Sequence, residues 1–144
     1  MTLEITQKLT QMAKSRGRPF RVLIVDDEEW VRDVFRDFCG LSDACEVELA
    51  ESGTAAIEKA KQTRYDVITL DLIMPEVSGL EVLSAIKEAS PGSKVMIITG
   101  NATDKLVHQA GVMGASRVMY KPVAMENFIE ELTTTLETQA QSRS

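Results

Sequence analysis

Asp26, Asp27, Asp71, Thr99 and Lys121 carry side chains suited to metal and phosphate chemistry, and they stand where apolar runs stop. "VLIV" runs into Asp26-Asp27, "VITL" into Asp71, "VMII" into Thr99-Gly100 and "RVMY" into Lys121-Pro122. A carboxylate at the end of a buried-strand pattern is costly unless something uses it. Three carboxylates in one place repel and raise one another's pKa. A hard divalent cation removes that repulsion, because Mg²⁺ takes oxygen ligands and combines carboxylates with a phosphate. An ammonium beside them suits phosphoryl oxygens. A carboxylate can also act as a nucleophile and form an acyl phosphate, with metal and Lys shielding the incoming oxygens. Gly100 leaves room for an anion to approach the backbone N–H. The set therefore points to a phosphorylatable Asp71. Each piece alone has a plainer explanation: the Asp pair as helix N-caps, Lys-Pro as a turn, Thr99 as a hydroxyl bonded to backbone.

The set works only if the fold brings these positions to one rim. From Phe20 onward, short β-branched runs alternate with helical patterns. The strand signals are "RVLIV", the weaker alternating "EVELA", "DVITLD", "VMIITG" and "SRVMY". Between them lie helices such as "EEWVRDVFRDFCG", with Trp30 or Val31, Val34, Phe35 and Phe38 expected on one face and Gly40 at the stop. "AMENFIEELTTTLE" closes the series, with Phe128, Ile129, Leu132 and Leu136 as its apolar stripe. Five βα units in order imply an α/β doubly wound sheet of five parallel strands with helices on both faces. The flavodoxin-like order 2-1-3-4-5 is the arrangement expected. In such sheets ligands bind beyond the carboxyl ends of the strands, where all of the chemistry-bearing residues would fall.

Composition narrows the classes. With 144 residues, the chain can build one domain with a proper core. A formal charge of −6 gives no nucleic-acid surface as a default partner. No apolar run is long enough for a membrane span, and the N-terminus lacks a signal-peptide core, so a cytoplasmic location is expected. The opening Met reads as a natural N-terminus. Cys39 and Cys45 fit neither a metal cluster nor a disulfide framework and read as reduced structural thiols. The single His108 excludes a His-rich metal site and reads as a surface residue. Residues 1–19 form an N-terminal extension, in which Ile5, Leu9, Met12 and Ala13 at helical spacing allow a short amphipathic helix before the break "SRGRP". That helix is either frayed, or docked on the domain or on a second copy, which leaves a homodimer open. The main domain is expected over 20–138, and 139–144 as a polar tail.

With these residues in view, the chain resembles the receiver domains of bacterial two-component response regulators, the CheY-like family. "VLIVDDE" is similar to the acidic-pair motif, "DLIMPEVSG" to the phosphoacceptor loop, and "IITG" and "YKP" to the Thr and Lys-Pro elements. The likeness runs from about Phe20 to Glu137. It implies Asp71 as phosphoacceptor and a Mg²⁺ site of Asp26, Asp27, Asp71 and the backbone carbonyl of Ile73. It also implies Thr99 and Lys121 as partners of the phosphoryl group, and a cis Lys121-Pro122 peptide. The implied donor is a phosphohistidine on a sensor histidine kinase or a histidine phosphotransfer protein. The implied outlet to a downstream protein is the face of helix 4, strand 5 and helix 5 of the repeat, which carries Lys105, His108, Tyr120 and Glu130.

Two positions depart from the family pattern. Three residues before the Lys, where a switching Tyr or Phe is common, stands Val118, too stiff to swing. Tyr120 lies two residues on, on the same face of the strand, and is the candidate to take over part of that surface role; the plainer reading is packing against the adjacent helix. Ile73, two after the phosphoacceptor, cannot orient a water, and Asn101, two after Thr99, is uncharged; slow self-dephosphorylation is expected. Ile73 also counts against a haloacid-dehalogenase-like phosphatase, which wants a second Asp there. A signalling receiver rather than an enzyme of metabolism is therefore the main reading. The alternatives are a phosphorelay intermediate and a fragment of a longer regulator.

Overall fold

The computed structural model describes residues 2–142, so Met1, Arg143 and Ser144, the end of the expected tail, lie outside the described residues. The elements run α1 (Thr2–Arg16), β1 (Phe20–Val25), α2 (Glu29–Cys39), β2 (Cys45–Ala50), α3 (Gly53–Gln62), β3 (Val67–Leu70), α4 (Gly79–Ala89), β4 (Lys94–Thr99), α5 (Asp104–Val112), β5 (Arg117–Tyr120) and α6 (Met125–Ser142). The five strands are parallel in the order β2-β1-β3-β4-β5, the order expected from the sequence. Because α1 precedes the repeat, helix 4 and helix 5 of the repeat are α5 and α6 here.

Strand alternation divides the core between the two faces of the sheet. Phe20, Val22, Ile24, Val67, Met96 and Ile98 point to one side and pack with α1, α2 and α6. Leu23, Val25, Ile68, Leu70, Val95 and Ile97 point to the other and pack with α3, α4 and α5. The central strands are apolar on both faces because both faces are covered. On the first side Phe35 of α2 and Phe128 of α6 stack with centroids 4.9 Å apart and rings 6° from parallel, locking those helices together.

Three of the helices start where short polar side chains cap them, while α2 starts at Glu28 without a side-chain cap. Ser52, Ser78 and Thr103 accept hydrogen bonds from the backbone N–H groups of Ala55, Leu80 and Leu106 at the starts of α3, α4 and α5.

Two expectations need correction. In α2 the buried stripe is Val31, Phe35 and Cys39, with Phe38 at its margin. Trp30 is 65% exposed and Val34 stands at the surface. Only the 3.6-residue stripe facing the sheet is covered, and positions 30 and 34 fall one step off it. The segment "SRGRP" also breaks later than expected: Ser15 and Arg16 remain helical, and the chain leaves α1 at Gly17, whose φ of +79° needs a residue without a Cβ.

α1 is docked on the domain. Leu9 and Ala13 are buried in the core shared with Leu132 and Leu136 of α6, Ile5 and Met12 pack at its edge, and Lys8 pairs with Glu137 at 2.6 Å. At its far end Arg16 lies over the Phe20 ring, 4.3 Å from the centroid, and reaches Asp66 at 3.3 Å. Cys39 and Cys45 are both free. The neighbouring Cys45 thiol and burial push Cys39 well above the usual thiol range, which makes it an inert core residue.

Candidate functional site

The sheet ladder itself sets the site. Beyond the ends of β1, β3 and β5 one more backbone hydrogen bond continues the pairing: Asp26 N–H to Ala50 O, Asp71 N–H to Val25 O, and Lys121 N–H to Thr99 O. The functional side chains therefore hang from extended, paired backbone rather than from free loops, and their separations follow from strand spacing. After Asp71 the chain must turn sharply into α4. Gly79 makes this possible, because a Cβ there would stand 2.5 Å from the Leu72 backbone. Glu76, at φ 76°, completes the turn in the left-handed region.

Asp71 is nearly buried and each of its oxygens is engaged. Oδ1 accepts from the Thr99 hydroxyl at 2.9 Å and from the Ile73 backbone N–H at 2.9 Å. Oδ2 accepts from Lys121 Nζ at 2.8 Å. Lys121 Nζ also donates to Asp26 Oδ2 at 2.7 Å, while Asp26 Oδ1 takes the Glu28 N–H at 3.0 Å. Asp27 points to solvent, yet the ligand atoms of Asp26, Asp27 and Asp71 lie within 4.8 Å of one another.

The charges are tightly linked. Burial pushes the Asp26 carboxyl above its ordinary value, against the opposing pull of Lys121 and the Glu28 N–H. Burial pulls Lys121 down, but its hydrogen bonds to Asp26 and Asp71 outweigh it and hold the ammonium above its ordinary value. One ammonium among three carboxylates leaves a net negative pocket. All of its ligands are hard oxygens, and one face is open at Asp27. That donor set fits a Mg²⁺-type ion and lacks the nitrogen and sulfur ligands that zinc prefers.

Asp26, Asp27, Asp71, Thr99 and Lys121, named from the sequence, are thus brought together, and the Lys121-Pro122 peptide is cis. Gly100 is exposed, and a Cβ there would meet nothing within 4 Å, so crowding does not require a glycine at this position. Ile73 is 48% exposed at the rim. Val118 pairs with Ile97 and Tyr120 with Thr99 on the outer strand; Val118 is half-buried and Tyr120 is 53% exposed. Tyr120 therefore lies beside the site's hydroxyl but outside the packed core. Two contacts were not anticipated. Arg32 of α2 donates to the Asp26 backbone carbonyl at 2.7 Å, tying the helix to the acidic pair, and the exposed Trp30 indole donates to Glu28 at 3.0 Å. A polar residue in the first turn after an acidic strand end is the sequence signal for the first contact; none exists for the second.

Residues 22–133 match the family model described as the response regulator receiver domain. The chain is 33% identical over 112 residues to the chemotaxis protein CheY of Listeria monocytogenes, covering 78% of this chain and 94% of that one. It is 30% identical over 135 residues to the chemotaxis protein CheY of Treponema pallidum, covering 92% and 93%. Among solved structures, a CheY-like receiver domain protein from Methanospirillum hungatei superposes with a TM-score of 0.82 at 25% identity, over 86% of this chain and 98% of that one. A response regulator from Burkholderia pseudomallei, solved with a phosphorylated aspartic acid, calcium ion and citrate, matches with a TM-score of 0.73 at 25% identity, over 85% and 72%.

Proposed function

This chain belongs to the response regulator receiver domain family, and from that membership we propose that Asp71 accepts a phosphoryl group from the phosphohistidine of a sensor histidine kinase or a histidine phosphotransfer protein. An Asp71 carboxylate oxygen attacks phosphorus, the P–N bond breaks, and the histidine nitrogen leaves with the electron pair and takes a proton from solvent. The observation that carries the reading is the arrangement of donors around Asp71. Thr99, Lys121 and the Ile73 N–H already approach its two oxygens. The same donors are placed to turn onto phosphoryl oxygens as charge moves outward from the carboxylate. Asp26, Asp27, Asp71 and the Ile73 carbonyl would hold Mg²⁺, which when bound supplies a hard positive charge to the phosphoryl oxygens. The phosphorylated aspartic acid and bound calcium of the Burkholderia relative support both halves of this reading.

The acyl phosphate then controls protein contacts through the β5–α6 side. A groove of about 690 Å³ runs there, lined among others by Val118, Tyr120, Val123, Asn127 and Glu130. Tyr120, next to Thr99 in register, is the residue placed to transmit the state of the site to that groove. Ile73 offers no acid/base group, which argues against turnover of small phosphate esters. No helix of the described residues is long and apolar enough to cross a membrane, which is compatible with a role in the cytoplasm.

The test is incubation with Mg²⁺ and a small acyl phosphate or phosphoramidate, followed by intact mass. One added phosphoryl group, absent in Asp71→Asn and without Mg²⁺, is the expected result. No gain in the wild type would leave a scaffold that is not phosphorylated.

A further inference from the structure

The sheet has a second charged rim, at the amino ends of its strands and on the far side from Asp71. Arg16 at the end of α1, Arg18 in the following linker, Arg21 of β1 and Arg64 before β3 line one cavity of about 270 Å³. Four of the chain's eight arginines meet there although the chain carries a net charge of −6. Glu46 and Asp66 also line the cavity, but they offset only part of the charge. Asp66 gives one oxygen to the Arg21 backbone N–H at 2.8 Å and the other to Arg16 at 3.3 Å. Glu46 meets Arg21 at a loose 3.5 Å, with both side chains more than half exposed. Arg18 and Arg64 form no ion pair among the described residues.

One of the guanidinium groups is held in place and a second lies close to the backbone. Arg16 is clamped between the Phe20 ring and Asp66. Arg64 lies against Gly92 of the α4–β4 turn, where a Cβ would stand 2.8 Å from its Nη2. Pro19 stiffens the linker between Arg18 and Arg21. Four arginines lining one concave space, with no lysine among them, suit a tetrahedral oxyanion that can be gripped at several oxygens. The volume holds a phosphate with a small organic group, and the flanking carboxylates repel an extended polyanion.

We propose that the Arg16–Arg18–Arg21–Arg64 cavity binds a phosphate-type dianion, either inorganic phosphate or the phosphate of a small phosphomonoester. The ligand would bridge α1, the linker and the start of β3, and so fasten the N-terminal helix to the sheet at the end remote from phosphoryl transfer.

Titration calorimetry at constant ionic strength tests this with inorganic phosphate and with glycerol phosphate, chloride serving as the balancing salt. The expected result is saturable binding of one equivalent at millimolar concentration or below, retained in Asp71→Asn. Binding is expected to weaken on the order of tenfold or more in the double variant Arg18→Gln/Arg64→Gln, since two charge-assisted contacts are removed. A control of equal charge change, Lys61→Gln/Lys105→Gln, should bind as the wild type does. Tighter binding of glycerol phosphate identifies a phosphomonoester as the ligand, and equal or weaker binding identifies the free ion. No saturable binding of either probe would overturn the proposal. So would wild-type binding by the arginine double variant, an equal loss in the lysine control, or loss of all binding in Asp71→Asn. Circular dichroism confirms that the variants, altered at exposed positions, remain folded.

Discussion

Removing the ammonium while keeping most of its stem, as in Lys121→Met, tests the charge arrangement directly. Lys121 Nζ makes two charge-assisted hydrogen bonds, at 2.7 Å to Asp26 and 2.8 Å to Asp71, and its side chain is 19% exposed. Such bonds contribute roughly 1.5–3 kcal/mol each, and partial exposure argues for the lower value. The loss is therefore about 3 kcal/mol at pH 7 without Mg²⁺, or a fall of about 2 M in the urea midpoint for a slope of ~1.5 kcal/mol/M. Two further signatures distinguish this from general damage. Burial pushes Asp26 upward and Lys121 opposes it, so the variant leaves the upward push with less restraint. A carboxyl whose folded pKa is raised adds stability at low pH, which is lost as pH rises through that pKa. The deficit should accordingly shrink as pH falls from 7 toward the ordinary Asp range near ~4. Mg²⁺ should also stabilise the variant more than the wild type, because the competing ammonium is gone. Urea denaturation at two pH values, with EDTA or with Mg²⁺, reads all three. A Mg²⁺-free deficit below about 1 kcal/mol at pH 7 would refute the assignment of Lys121 as the principal counter-charge. A deficit independent of pH, or equal Mg²⁺ gains in both proteins, would refute the electrostatic reasoning.

Tyr65 is buried, its hydroxyl makes no hydrogen bond of good geometry among the described residues although Glu48 and Thr63 stand near it, and burial first, then Glu48, pushes it up to about 12. Tyr65→Phe should leave stability equal or raise it by ~1 kcal/mol, and should reduce the loss of stability expected as pH climbs from about 10 to 12, the remainder coming from Lys121, read by thermal melts. Gly79→Ala should cost about 2–3 kcal/mol, since its methyl group meets the Leu72 backbone rather than a side chain that can move. It should also slow labelling of Asp71 by a small phosphodonor. Leu9→Ala should cost about 2–4 kcal/mol in urea denaturation if α1 belongs to the core; a cost near zero would mean the helix is dispensable. Ile73→Asn should shorten the lifetime of the phosphorylated protein, followed by intact mass after the donor is removed, because an amide can orient attacking water where Ile cannot.

The strands and their order were legible because burial on both faces leaves an unbroken apolar signature, and "VLIV" and "VMII" have no other economical use. The acidic rim was legible for the same reason: Asp26, Asp71 and Thr99 each stand directly after a buried run, whereas Lys121 follows the more exposed "RVMY" and was placed by its Pro neighbour and the strand order. Surface registration was harder to read. Trp30 and Val34 are apolar and helically spaced, yet the sheet covers the stripe one position away, and composition alone cannot tell them from Val31 and Phe35. The stripe on α1 showed that the helix had something to bury, but its partner, α6, lies at the opposite end of the sequence. The four-arginine cavity was half legible for a related reason. Arg16, Arg18 and Arg21 stand close together in "SRGRPFR", but Arg64 joins them only when the start of β3 is brought beside the start of β1.

That α1 shares its core with α6 has a consequence for how the chain is made. Leu9 and Ala13 leave the ribosome more than 100 residues before Leu132 and Leu136 do. At ~5–20 residues per second, the apolar side of α1 waits on the order of ten seconds for its partner. During that interval it presents to chaperones and proteases the kind of surface they recognise. Nascent chains cut short before α6 would keep that surface exposed.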